Sequence, residues 1–94
     1  MKQHQYRITI EHLADKNGVP PVEDKQLQFE VGNHDDIFAI VERMRQRSDF
    51  DEAAATAFAV GLKLFGEVMM THRNHPLFAE FSPHFRDFMQ ALKK

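Results

Sequence analysis

The chain has 94 residues with 12 Lys plus Arg against 14 Asp plus Glu, so it is read as one domain with no general electrostatic pull toward nucleic acid or an anionic membrane. At this length a fold buries roughly two thirds of the surface that the unfolded chain exposes, enough for one core without a covalent staple. There is no cysteine, which removes disulfides, thiol nucleophiles and Cys-based zinc sites together, and no apolar run approaches the roughly 20 residues of a membrane span.

The N-terminus opens with Met1, Lys2, Gln3 and His4 and shows no signal-peptide core, so the expectation is a soluble, cytoplasmic protein. From His4 to Leu13 the residues alternate, with Tyr6, Ile8 and Ile10 on one side and Arg7, Thr9 and Glu11 on the other, the period of a half-buried strand. A second alternation, at Leu27, Phe29 and Val31, predicts a strand over 25–32. The connection from Ala14 to Asp24 holds Asn17-Gly18, a turn signal, then Val19-Pro20-Pro21, where two consecutive residues lack an amide donor. An antiparallel hairpin with a long loop follows.

Asn33 is a good N-cap residue, and Asp35 and Asp36 would place negative charge in a first turn. Ile37, Ile40, Val41 and Met44 recur at helical spacing, with Arg43, Arg45 and Arg47 near the end, so a first helix is predicted over 34–47. Ser48 and Asp49 are candidate N-caps for a second helix, Asp49 and Glu52 having capping-box spacing and Asp51 adding charge to the first turn. That helix is predicted over 51–73, with His72 and Arg73 in its last turn, Asn74 in the left-handed C′ conformation, and His75 pushed out of the helical region by Pro76. A short turn over 76–80 comes next, then Ser82 and Pro83 as N-cap and N1 of a last helix over 83–93, striped by Phe85, Phe88, Met89 and Leu92. The order is that of an α+β domain, an N-terminal hairpin packed on three or four C-terminal helices around a long central one.

The second helix carries most of the information. Between Ala53 and Met70 only Thr56, Lys63 and Glu67 are polar, so nearly the whole circumference is apolar, and burial around most of it is expected. Ala53, Ala57 and Gly61 form a small-residue ridge on which another backbone could lie close, Gly61 against it. Within one chain, the hairpin would cover this ridge; otherwise a second subunit would. The Phe-rich tail adds to the apolar surface, so Ala57, Gly61, Phe65, Phe78 and Phe81 are the candidate interface residues of a homodimer or of a complex with another protein.

The stretches His34-Asp35-Asp36-Ile37-Phe38-Ala39-Ile40-Val41-Glu42-Arg43 and Gly61-Leu62-Lys63-Leu64-Phe65-Gly66-Glu67-Val68-Met69 resemble a small bacterial family known as a domain of unknown function, family number 3861. His72-Arg73, His75-Pro76-Leu77-Phe78 and Pro83-His84-Phe85 extend the resemblance, which covers nearly the whole chain and is weakest from Ala14 to Asp24. It implies a small bacterial α+β protein and brings no activity, cofactor or catalytic residue to carry over.

His72 and His75 have H-x-x-H spacing, with His84 nearby, a conceivable zinc or nickel site. Against it, His75 is expected to leave the helix, and His72 has a role at the helix end. His34-Asp35-Asp36 reads as a charged first turn rather than part of a metal phosphohydrolase site. The four glycines form no phosphate loop, and Ser48 and Ser82 read as caps rather than nucleophiles. Arg43 and Arg47 face one way and Arg45 the other, with Asp49, Asp51 and Glu52 following at once, so no phosphate-reading face results. The expectation is therefore a non-enzymatic interaction or accessory protein without a cofactor, and the alternative is a His-based metal or small-molecule binder.

Overall fold

A computed structural model describes residues 2–23 and 25–94; Met1 and the loop end at Asp24 lie outside the described residues. The fold is α+β, an antiparallel two-stranded hairpin followed by four helices with a long central one. The chain forms two compact units, residues 1–36 and 37–94.

In the first unit, β1 (His4–Glu11) pairs with β2 (Gln26–Asn33). The register sets Tyr6 opposite Val31, Ile8 opposite Phe29 and Ile10 opposite Leu27, so the apolar residues of both strands share one face, as the period of two requires. On the other face Arg7 and Glu30 are opposite each other and form an exposed ion pair at 2.8 Å. The connecting loop is organised by Asp15, whose Oδ1 accepts from the amides of Asn17 at 2.9 Å and Val19 at 3.0 Å. Gly18 takes φ +84°, a left-handed conformation that glycine adopts without steric cost. Asn33 does not cap a helix. It is the last residue of β2, and its Oδ1 accepts from the Asp35 amide at 3.0 Å, the local turn that Asn forms in competition with capping. The first helix consequently starts later than its charges suggest, and Asp35 and Asp36 precede it.

In the second unit, α1 (Ile37–Arg45) is followed by α2 (Glu52–Thr71), α3 (Pro76–Ala79) and α4 (Ser82–Leu92). The N-cap of α2 is Asp51, not Ser48 or Asp49: its Oδ1 accepts from the Ala54 amide at 2.7 Å, satisfying one of the orphan donors of the first turn. Asp49 is engaged by Arg47 instead, at 2.7 and 3.0 Å.

The far end of α2 also differs from its sequence signals. No described non-glycine residue has positive φ, so Asn74 does not form a left-handed stop. The helix ends at Thr71, where the Thr71 hydroxyl donates to the Glu67 carbonyl at 3.0 Å and the His72 ring to that of Val68 at 2.9 Å. These side chains take up last-turn carbonyls that a left-handed residue would otherwise have helped to close. At α4, Ser82 is the first helical residue rather than the cap. Glu80 and Phe81 are already helical, so the chain enters α4 from α3 without the extended residue that an N-cap needs.

The core of this unit is built from Met44 of α1 and Ala55 and Ala59 of α2, with Ile40, Val41, Phe58 and Leu92 packed against it. Both alanines are 0% exposed, so α1 lies close along one side of α2. The rest of α2 is not enclosed: its only other buried residues are Glu67 and Met69, which corrects the expectation of burial around most of the circumference. With 20 residues and mean hydropathy 1.4, α2 also meets the length and composition of a membrane span, which corrects the statement that no segment approaches one.

Candidate functional site

Phe58, Leu62 and Phe65 repeat at i, i+4 and i+7 on α2, and Phe81, Phe85 and Phe88 repeat the same pattern along α4 and its N-cap. The two rows border an open groove of about 540 Å³ whose floor includes Ala57 and Gly61. His84 is the one polar side chain along it. Phe65 is the hub, its ring meeting Phe78, Phe81 and Phe85 edge to face at 6.2, 6.1 and 5.8 Å. Phe58 continues the row, edge-on to Phe88 at 6.1 Å and to Phe50 at 5.5 Å. Edge-to-face geometry aligns the positive rim of one ring with the negative face of the next and adds to the effect of area burial. The walls are thus held in place by one another, while Phe65, Phe81 and Phe88 remain 42%, 43% and 45% exposed.

Four of the five candidate interface residues, Ala57, Gly61, Phe65 and Phe81, line this groove. Phe78 stands behind it, against Phe65. Gly61 corrects one expectation: a Cβ built there would meet nothing within 4 Å, so in the single chain no backbone lies against it. The tighter glycine is Gly66, where a Cβ would stand 3.7 Å from the Phe85 ring. Sequence reasoning assigned no site role to Phe58, Leu62, Phe85 and Phe88, although their shared spacing with Phe65 and Phe81 was the available signal.

Two of the three candidate histidines, His72 and His75, serve the backbone. The His72 Nδ1–H donates to the Val68 carbonyl, and the His75 Nδ1 accepts from the Leu77 amide at 3.1 Å as the N-cap of α3. In its neutral form His75 therefore carries its proton on Nε2, away from any lone pair that a metal could use. His84 lies on the groove instead. Among the described residues no group of three or more His, Cys, Asp or Glu side chains is placed to hold a metal, so the H-x-x-H spacing does not become a cluster.

Arg45 and Arg47 are also employed within the fold. Arg45 donates to the Thr56 hydroxyl at 3.0 Å. Arg47, besides binding Asp49, donates to the Leu92 carbonyl at 3.0 Å and stands 5.9 Å from the Phe50 ring centre. It ties the α1–α2 connection to the end of α4, where a cation favours the carbonyl end of the dipole. The Arg47 hydrogen bond holds the Asp49 carboxyl below its usual range, and in turn raises the guanidinium above its own.

A crystal structure of a protein of unknown function (eca1910) from Pectobacterium atrosepticum SCRI1043 is similar to this chain at 44% identity and TM-score 0.84, over 98% of each chain. No curated protein matches. The model of the domain-of-unknown-function family DUF3861 matches residues 4–94, which include both strands, all four helices and the groove, and the chain belongs to that family.

Proposed function

We propose that the protein is a non-enzymatic interaction or accessory protein that works through the apolar surface of α2 and α4, as a homodimer or with another protein chain. The observation that supports this reading is the groove itself. Aromatic side chains border it, small residues line it, and Phe65, Phe81 and Phe88 are nearly half exposed. Apolar surface of this kind gains free energy at roughly 25 cal/mol for each Å² removed from water, and contiguous patches of it mark interaction sites. Ala57 and Gly61 leave room for a close partner, since small residues let two helix axes approach to about 8–10 Å.

Retention of binding partners by the immobilised full chain tests the reading, with Ala57→Glu as the comparison. The wild type is expected to retain a chain, its own or another, that Ala57→Glu does not. Equal retention by both, or by neither, would overturn the assignment of the surface.

A further inference from the structure

We infer that α3 and α4 form a strap that lifts from α2 as one unit while the α1–α2 pair stays folded, with Arg47 as its latch; as regulation of the groove, this rests on the interaction reading. The first argument is what α4 lacks. It has 11 residues, no side-chain hydrogen bond at its N-cap, no acidic residue in its first turn and no basic residue in its last. A helix of that length is marginal by itself in water, and here both ends go without the side chains that ordinarily satisfy orphan backbone groups or offset the dipole. Its helicity therefore depends on docking.

The second argument is how it docks. Neither α3 nor α4 holds a buried residue, whereas α1 and α2 meet over the buried Met44, Ala55 and Ala59. α4 reaches α2 through rings, Phe85 on Phe65 and Phe88 on Phe58, and reaches the core through Leu92. Segments with few buried apolar contacts open at a lower free energy than the core does. The exposed residues 72–75 join the strap to the end of α2, so the chain can swing there without disturbing the α1–α2 core. At the far end Arg47, held on the α1–α2 connection by Asp49, donates to the Leu92 carbonyl at 3.0 Å and supplies the cation that the last turn of α4 lacks. Lifting the strap breaks this bond and uncovers Phe58 and Phe65, so the latch sets how much of the α2 row a partner can reach.

Native-state hydrogen exchange of the full chain in rising, sub-denaturing guanidinium tests this. Amides of residues 86–92 in α4 should exchange at least about a hundredfold faster than those of residues 59–63 in α2. Their guanidinium dependence should be weaker, since the slope follows the surface that an opening exposes. Ile40→Val trims the α1–α2 core, which stays intact when the strap lifts, so it should speed the α2 amides at least about threefold and leave the α4 amides unchanged. Arg47→Ala should speed the α4 amides at least about threefold, whereas Arg45→Ala, which removes a bond to Thr56 rather than to α4, should not. If Arg47→Ala loses helix content by circular dichroism, Phe88→Ala, which removes the ring against Phe58, is measured in its place. One opening free energy and one slope shared by both helices would overturn the inference, as would an Ile40→Val that speeds both alike. Unchanged α4 exchange in Arg47→Ala would overturn the latch. Exchange is read without a partner, so failure of the interaction reading in the retention assay is a separate result.

Discussion

The long helix α2 carries small residues on two sides, and the two sides meet opposite fates. Ala55 and Ala59 are fully buried beneath Met44 of α1, whereas Ala57 and Gly61, displaced from them by about 200° at 100° per residue, floor an open groove. Composition does not separate these sides. Geometry does: the connection after α1 returns the chain at once, so its apolar residues Ile40, Val41 and Met44 lie on the first side. Within residues 37–94 no element lies across the second, although α4 borders it with aromatic rings. A small-residue strip shows that a backbone can come close, and the path of the rest of the chain decides whether one does.

The largest expected effect sharpens this comparison from its buried side. Met44→Ala should cost about 2–5 kcal/mol of unfolding free energy in urea, since it empties a site packed against two fully buried alanines. Next comes a matched pair. Ala59→Leu overpacks the closed side and should cost about 1–3 kcal/mol. Gly61→Leu on the open side should instead gain about 0.8 kcal/mol from helix propensity. Equal costs for the two substitutions would break the contrast.

Asp51→Ala should cost about 1 kcal/mol in the same denaturation assay, because the Ala54 amide loses its acceptor. Asp49→Asn, which acts on the loop between the buried and open sides, should give the smallest effect. Its carboxyl is held below the usual range by the hydrogen bond from Arg47, so the folded state binds that proton more weakly than the unfolded chain does. The contribution is present above the unfolded carboxyl's pKa and is lost as pH falls through the folded value. Wild type and Asp49→Asn should therefore differ slightly in melting temperature at neutral pH and converge in acid, where the carboxylate is protonated in both states.

Much of the hairpin was legible because strand periodicity is short-range: the alternation at Tyr6, Ile8 and Ile10 and at Leu27, Phe29 and Val31 is also the pairing of the sheet. The long apolar helix was equally plain. Caps were read less well, since Asn33, Asp49, Asp51 and Ser82 are all competent capping residues and local competition chose among them. Asn33 went to a turn, Asp49 to Arg47, and Ser82 into a helix already begun. The candidate site was legible at Ala57, Gly61, Phe65 and Phe81 as residues in need of cover. Its form as a groove was not, because that required the α4 row to lie beside the α2 row.

By itself the sequence determined the element order, the register-setting alternation of the strands, the apolarity of α2 and the family. These depend on residues within a turn or two of one another, or on the strand period, where chemistry and spacing act directly. Only the tertiary structure decided which strip of α2 is covered, which acid caps it, and that the Phe rows form the walls of one groove. Those outcomes depend on which of several locally equivalent partners the chain brings within reach. Interaction energies fall off over a few ångströms, so that choice belongs to the path of the backbone rather than to any single residue.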